Sequence, residues 1–124
     1  MYQKKLEADI RCPLEYGLSL FGGKWKSRII CVLAAQETLR YSELRKEMAN
    51  ITDAVLATTL KELLAADILQ RRSYDEIPPR VEYSLTEKGR SVVPILQSIC
   101  RWAGIFYKDE AEPALPQCRR CDYR

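Results

Sequence analysis

The chain has 124 residues, 47% of them apolar and 30% charged, with a formal net charge of +3 and no histidine. That length suits a single domain and leaves no expected room for a second, catalytic one, while the composition suits a packed core rather than a disordered chain. Without histidine, Ser-His-Asp and Cys-His nucleophile pairs and His-ligated metals are excluded, so the expectation is a non-enzyme that needs no cofactor.

Residues 1–10 mix charges without a clear period and read as an arm. Those charges sit where a signal peptide would need an apolar core. The longest apolar stretches, such as Ile29 to Ala35, fall far short of the roughly 20 residues that cross a bilayer, so the expected location is the cytoplasm. A short helix is predicted from Leu14 to Phe21, ended by Gly22-Gly23. Lys26 to Ala35 carries Ile29, Ile30, Val32, Leu33 and Ala34 and reads as the central buried helix. Trp25, Cys31 and Cys100 are expected in the core. A third helix is predicted from about Tyr41 to Met48, with Leu44 and Met48 on the face of Tyr41.

The connector Ala49-Asn50-Ile51 leads to Thr52, whose hydroxyl can cap a helix running to about Ala66. Leu56, Leu60, Leu63 and Leu64 form one apolar stripe, and Ala54, Ala57, Thr58, Lys61 and Glu62 make a small, polar opposite face. Two short helices joined in this way describe a helix-turn-helix. Ile68 to Tyr74 and Val81 to Leu85 then read as strands separated by Asp75-Glu76-Ile77-Pro78-Pro79-Arg80. A hairpin directly after a helix-turn-helix is the order of a winged helix. Its tip is stiffened by the Pro-Pro pair and ends in the Arg80 guanidinium, suited to phosphate or a narrow minor groove.

Thr86 can cap a last helical region whose stripe (Val92, Val93, Leu96, Ile99, Cys100, Ala103, Phe106) extends to about Lys108, with Pro94 expected to kink or restart it. So broad a stripe at the end of a small domain needs a partner, and the economical partner is a second copy of the chain. The expected fold class is therefore mainly α with a small β-hairpin: a winged helix-turn-helix with N- and C-terminal dimerisation helices over residues 1–112, followed by a flexible tail at 113–124. Lys24, Lys26 and Arg28, then Arg40, Arg45 and Lys46, then Arg71, Arg72 and Arg80 give this nearly neutral chain a basic face, while Asp109, Glu110 and Glu112 lie near its end.

Several motifs occur in order: Cys12-Pro13-Leu14-Glu15-Tyr16, Gly22-Gly23-Lys24-Trp25-Lys26, Tyr41-Ser42-Glu43-Leu44-Arg45, Leu60-Lys61-Glu62-Leu63, and Ile77-Pro78-Pro79-Arg80-Val81-Glu82-Tyr83-Ser84-Leu85-Thr86 with Gly89 and Arg90. From Cys12 to about Trp102 the chain thereby resembles the HxlR-type (DUF24) winged-helix regulators, related to MarR-like repressors. The resemblance implies a homodimer packed through its terminal helices, with one recognition helix per subunit in a major groove of double-stranded DNA and one wing beside it. Asp53 and Ala54 stand where members often carry an amide or a basic residue. An aspartate there suits the helix dipole but repels phosphate, and it can read only a donor such as cytosine N4.

These readings assign Thr52, Asp53, Ala54, Ala57, Thr58 and Lys61 to the groove and Arg80 to the DNA backbone or minor groove. Lys24, Lys26, Arg40 and Ser42, near helix starts, are expected to meet phosphates. The resemblance also marks Cys12 as a candidate sensor of an oxidant or electrophile, in a basic stretch with Lys4, Lys5 and Arg11, since a neighbouring cation favours the nucleophilic thiolate. Cys118 and Cys121 have the spacing of a redox pair or half a zinc site, but with no other ligand or βαβ pattern nearby no metal is expected. Two competing readings are a winged helix that docks on protein instead of DNA, and a thiol-disulfide enzyme built on the tail cysteines.

Overall fold

The computed structural model describes residues 9–107. Most of the predicted arm, the expected end of the last helix at Lys108 and the Cys118/Cys121 tail lie outside the described residues. In chain order the elements are α1 (Pro13–Phe21), α2 (Lys24–Gln36), β1 (Thr38–Arg40), α3 (Tyr41–Met48), α4 (Asp53–Ala65), β2 (Leu69–Tyr74), β3 (Arg80–Leu85) and α5 (Glu87–Gly104).

Helix α2 is the centre of the core. Ile29, Ile30, Val32 and Leu33 are all buried on it, against Leu44 and Met48 of α3 and Leu56, Leu60 and Leu63 of α4. Ile68, Leu69, Leu85, Val92 and Leu96 close the other side. Trp25 and Cys31, expected inside, are half-buried and pack on the margin of this cluster, and Cys100 is also only half-buried. The break between α1 and α2 falls at Gly23, whose φ of 86° is a left-handed conformation that glycine adopts without a Cβ penalty.

The hairpin is part of a three-stranded antiparallel sheet of order β1-β3-β2. Strand β1 escapes the sequence because its three residues, exposed-buried-exposed, contain a single apolar side chain and so no alternation to read. It pairs Thr38 with Ser84, Leu39 with Tyr83 and Arg40 with Glu82, while β2 pairs Leu69 with Leu85 through Tyr74 with Arg80. The start of the helix-turn-helix is thus hydrogen-bonded to the base of the wing.

Helix α5 runs unbroken through Pro94 for 18 residues, so Pro94 does not restart it. Pro94 is exposed, and buried Val92 and Leu96 on either side hold the helix against the core. The missing proline N–H forfeits one helical bond, which that docking outweighs. At the start of α5, Thr86 Oγ1 accepts from the Gly89 amide at 2.9 Å and donates to the Asp67 carbonyl at 2.6 Å. Gly89 lies so close to the chain leaving α4 that a Cβ would sit 2.2 Å from the Ile68 carbonyl oxygen. Because the obstacle is backbone, Gly89→Ala is expected to cost about 1–3 kcal/mol of stability, or more, from overpacking. Urea unfolding should show a lower midpoint at an unchanged m-value.

Candidate nucleic-acid interface

Thr52 caps α4 as its sequence predicts, with Oγ1 accepting from the Val55 amide at 3.2 Å. Leu56, Leu60 and Leu63 fix the buried side of the helix, while Asp53, Ala54, Ala57, Thr58, Lys61 and Glu62 are all exposed on its other sides. Thr59 interrupts the apolar stripe and is buried, its hydroxyl satisfied by donating to the Val55 carbonyl at 2.7 Å. Val55, absent from the sequence assignment, joins the open surface with 37% exposure.

Asp53 is engaged at the entry to α4. Its Oδ1 lies 2.6 Å from Arg45 Nε and accepts a long hydrogen bond from the Tyr41 hydroxyl at 3.4 Å. The guanidinium from α3 thus offsets the charge that would otherwise repel phosphate. Burial raises the Tyr41 phenol above its ordinary pKa, the Asp53 charge and hydrogen bond raise it further, and Arg45 opposes them.

On the wing, the outer face of the sheet carries Arg40, Glu82 and Arg72 in one cross-strand row and Arg80 beside Tyr74 in the next. Arg80 is largely occupied within the protein. Its Nη2 lies 3.0 Å from Glu76, its Nη1 3.8 Å from Glu82, and its guanidinium carbon 3.8 Å from the centre of the Tyr74 ring. Arg71 and Arg72 on the edge strand β2 are both exposed, and Arg72 also lies over Tyr74 at 5.0 Å.

Over residues 20–111 the chain matches the HxlR-like helix-turn-helix family. The chain belongs to that family. It is 44% identical over 95 residues to an uncharacterized HTH-type transcriptional regulator of Methanothermobacter thermautotrophicus, covering 77% of this chain and 72% of that protein. Among solved structures it resembles the redox regulator HypR in its oxidized form, with a TM-score of 0.69 at 38% identity over 79% of this chain and 100% of that one. It also resembles the reduced form of the transcriptional regulator YodB from B. subtilis, with a TM-score of 0.71 at 35% identity over 80% and 97% of the two chains. The winged helix-turn-helix fold and the relatives are those of transcription regulators, and no helix among the described residues is long and apolar enough to cross a membrane.

The side chains expected to meet phosphate, with the other basic ones of the wing, divide into two groups. Arg40, Lys61, Arg71 and Arg72, with the neutral Ser42, are exposed at the helix-turn-helix and the wing. Lys26 instead bridges elements, donating to the Ser19 carbonyl at 3.0 Å and lying 3.7 Å from Glu62, while Lys24 sits over the Trp25 ring at 4.5 Å. Arg71 and Arg72 entered the sequence reading only as members of charge clusters, and Arg45 as a member of one and of the Tyr41-Ser42-Glu43-Leu44-Arg45 motif, without a role of its own. Clustering was the available signal for them, since periodicity does not rank residues on a short helix or an edge strand. Cys12 is exposed at the N-cap of α1, and the Arg11 guanidinium beside it turns to Asp9 at 2.9 Å.

Subtracting the spectrum of Tyr41→Phe from the wild type isolates the Tyr41 phenolate absorbance, which should develop above the ordinary tyrosine range. Asp53→Asn is expected to lower that titration without fully normalising it, because burial remains. Since the folded-state pKa is the raised one, the associated stability is complete below the unfolded pKa and fades as pH climbs through the folded value.

Proposed function

We propose that this HxlR-family protein is a sequence-specific transcriptional regulator that binds duplex DNA as a homodimer in the cytoplasm. The exposed face of α4, from Thr52 through Asp53, Ala54, Ala57 and Thr58 to Lys61, enters the major groove. The observation that carries this reading is that face itself, with small side chains at Ala54, Ala57 and Thr58 and open to solvent, in a domain whose Arg40, Ser42, Arg71 and Arg72 are exposed as well. Arg45 screens Asp53, leaving an oriented acceptor for cytosine N4. The wing lies along the backbone or minor groove, with Arg72 and Arg71 as its phosphate contacts and the fully exposed Ile77 at its tip. Arg80 holds the hairpin in shape through Glu76, Glu82 and Tyr74 rather than meeting phosphate. Lys26 has the same kind of internal role, while Lys24 remains a phosphate contact.

Dimerisation is supported by the apolar surface of the single chain. Helix α1 buries none of its residues, and Leu14, Leu18, Ile95, Ile99, Trp102, Ile105 and Phe106 are all exposed on α1, along α5 from its middle onward, or just beyond it. Unpaired, that is more exposed apolar side chain than a soluble monomer ordinarily shows. Cys12, exposed at the end of α1 that the helix dipole makes favourable to an anion, is placed to react with an oxidant or electrophile and to transmit the change to the adjoining helices.

Fluorescence anisotropy on a random-sequence duplex tests the DNA reading. Affinity should fall linearly in log–log form with salt, with about 0.9 of slope per phosphate contacted. Arg72→Gln, present in both subunits, should make the slope shallower by about 1.8, whereas Arg80→Met should leave the slope intact. A flat salt response of the wild-type protein would remove DNA from the account. Sedimentation should show a dimer that Ile99→Glu with Trp102→Glu converts to a monomer, and linked-site arithmetic predicts a loss of DNA affinity on the order of 100-fold.

A further inference from the structure

An open cavity of about 590 Å³ lies between the end of α2, the outer face of the sheet and the first half of α5. Its lining includes none of the residues assigned above to DNA or to the subunit contact. The volume falls within the roughly 300–1,000 Å³ typical of small-molecule sites.

The chemistry of the walls differs from side to side. Leu33 on α2 and Val93 and Pro94 on α5 are apolar. The floor is polar, with Gln70 Nε2 donating to Ser84 Oγ at 3.2 Å across β2 and β3. On the α5 side stands Arg90, whose Nη1 donates to the Leu85 carbonyl at 3.0 Å. That bond uses one of the guanidinium's five donors and fixes its orientation. On the α2 side stands Glu37, the C-cap residue, beside the terminal carbonyls that give a helix end its negative partial charge.

A simple anion would be drawn to Arg90 and repelled by Glu37, and a simple cation the reverse. A ligand carrying both charges satisfies both. We propose that this cavity binds a small zwitterion with an apolar side chain, such as an apolar amino acid. Its carboxylate meets Arg90, its ammonium meets Glu37 and the α2 terminus, and its side chain lies over Leu33, Val93 and Pro94. The assignment stands independently of the DNA reading. If both hold, the occupant touches β3 of the wing and α5 of the subunit contact together, and it acts as an effector to the extent that it binds one arrangement of the two more tightly than another.

Isothermal titration of the full chain with L-leucine, leucinamide and N-acetyl-leucine tests the proposal, because the two derivatives each lack one charge. Leucine should bind saturably, and each derivative about three- to fivefold more weakly, the size of one screened ion pair at an exposed site. Arg90→Gln should abolish the preference for leucine over its amide while keeping that over the N-acetyl form, and Glu37→Gln should do the opposite. A merely structural role for either residue does not swap selectivities in this way. Val93→Trp, which fills the groove, should remove binding from a protein whose circular dichroism is unchanged. The proposal is overturned by equal binding of the three compounds, by leucine binding that survives Val93→Trp, or by no saturable binding of leucine up to about 10 mM, beyond which an affinity no longer defines a site.

Discussion

Rotation of α4 about its own axis is what the interface depends on, and three buried leucines set it. Leu56, Leu60 and Leu63 are 0%, 3% and 0% exposed, and burying each contributes about 1.5–3 kcal/mol. A turn of one residue, about 100°, would carry these side chains toward water and bring Ala57 and Lys61, or in the other direction Val55 and Glu62, into the core. Nothing in the small-residue face needs to hold it outward, because the opposite face is held inward. Of the residues left outside, Ala54, Ala57 and Thr58 lack bulk, which is the condition for a helix backbone to come close to base edges.

Charge on the open side is arranged by pairing as much as by placement. An aspartate at the first turn of α4 suits the helix dipole but opposes an approaching phosphate, and Arg45 resolves the conflict from the neighbouring helix. Arg80 shows the reverse case. Each of its ion pairs is partly exposed and contributes no more than about 1 kcal/mol, and the Tyr74 stack adds about 0.5–1 kcal/mol. Together they still favour the guanidinium staying on the hairpin rather than leaving two carboxylates unanswered. Among the described residues the exposed arginines of β2 have no comparable pair of acid partners, so they carry the wing's positive field.

The single chain is unfinished at one end. Helix α1 has no buried residue, and α5 presents one face, with Gly89, Val92 and Leu96, to the core and another, with Ile95, Ile99 and Trp102, to solvent. Docking energy from α5 thus stabilises the winged domain, while its free face offers area to a second copy. The same helix contributes Arg90 and Val93 to the cavity on the outer face of the sheet, so a single element adjoins the domain core, the wing base and the apolar surface.

Much of the fold was legible along the chain because amphipathic periods are local. The stripe at Leu56, Leu60 and Leu63, the caps at Thr52 and Thr86, and the Pro-Pro break between two strands each record a helix or a hairpin without reference to anything distant. The small face of α4 was legible for the same reason, as the complement of the stripe. Strand β1 was not, because three residues hold no period and only pairing with β3 makes them a strand. Nor was the fate of individual charges. Arg45 on Asp53, Lys26 on Ser19 and Glu62, and Arg80 between Glu76 and Glu82 are decided by how helices and strands are brought side by side. The sequence therefore determined which surfaces exist, through the period of its apolar residues, and the tertiary structure decided which charges on those surfaces stay available, because ion pairing acts through space and leaves no period to read.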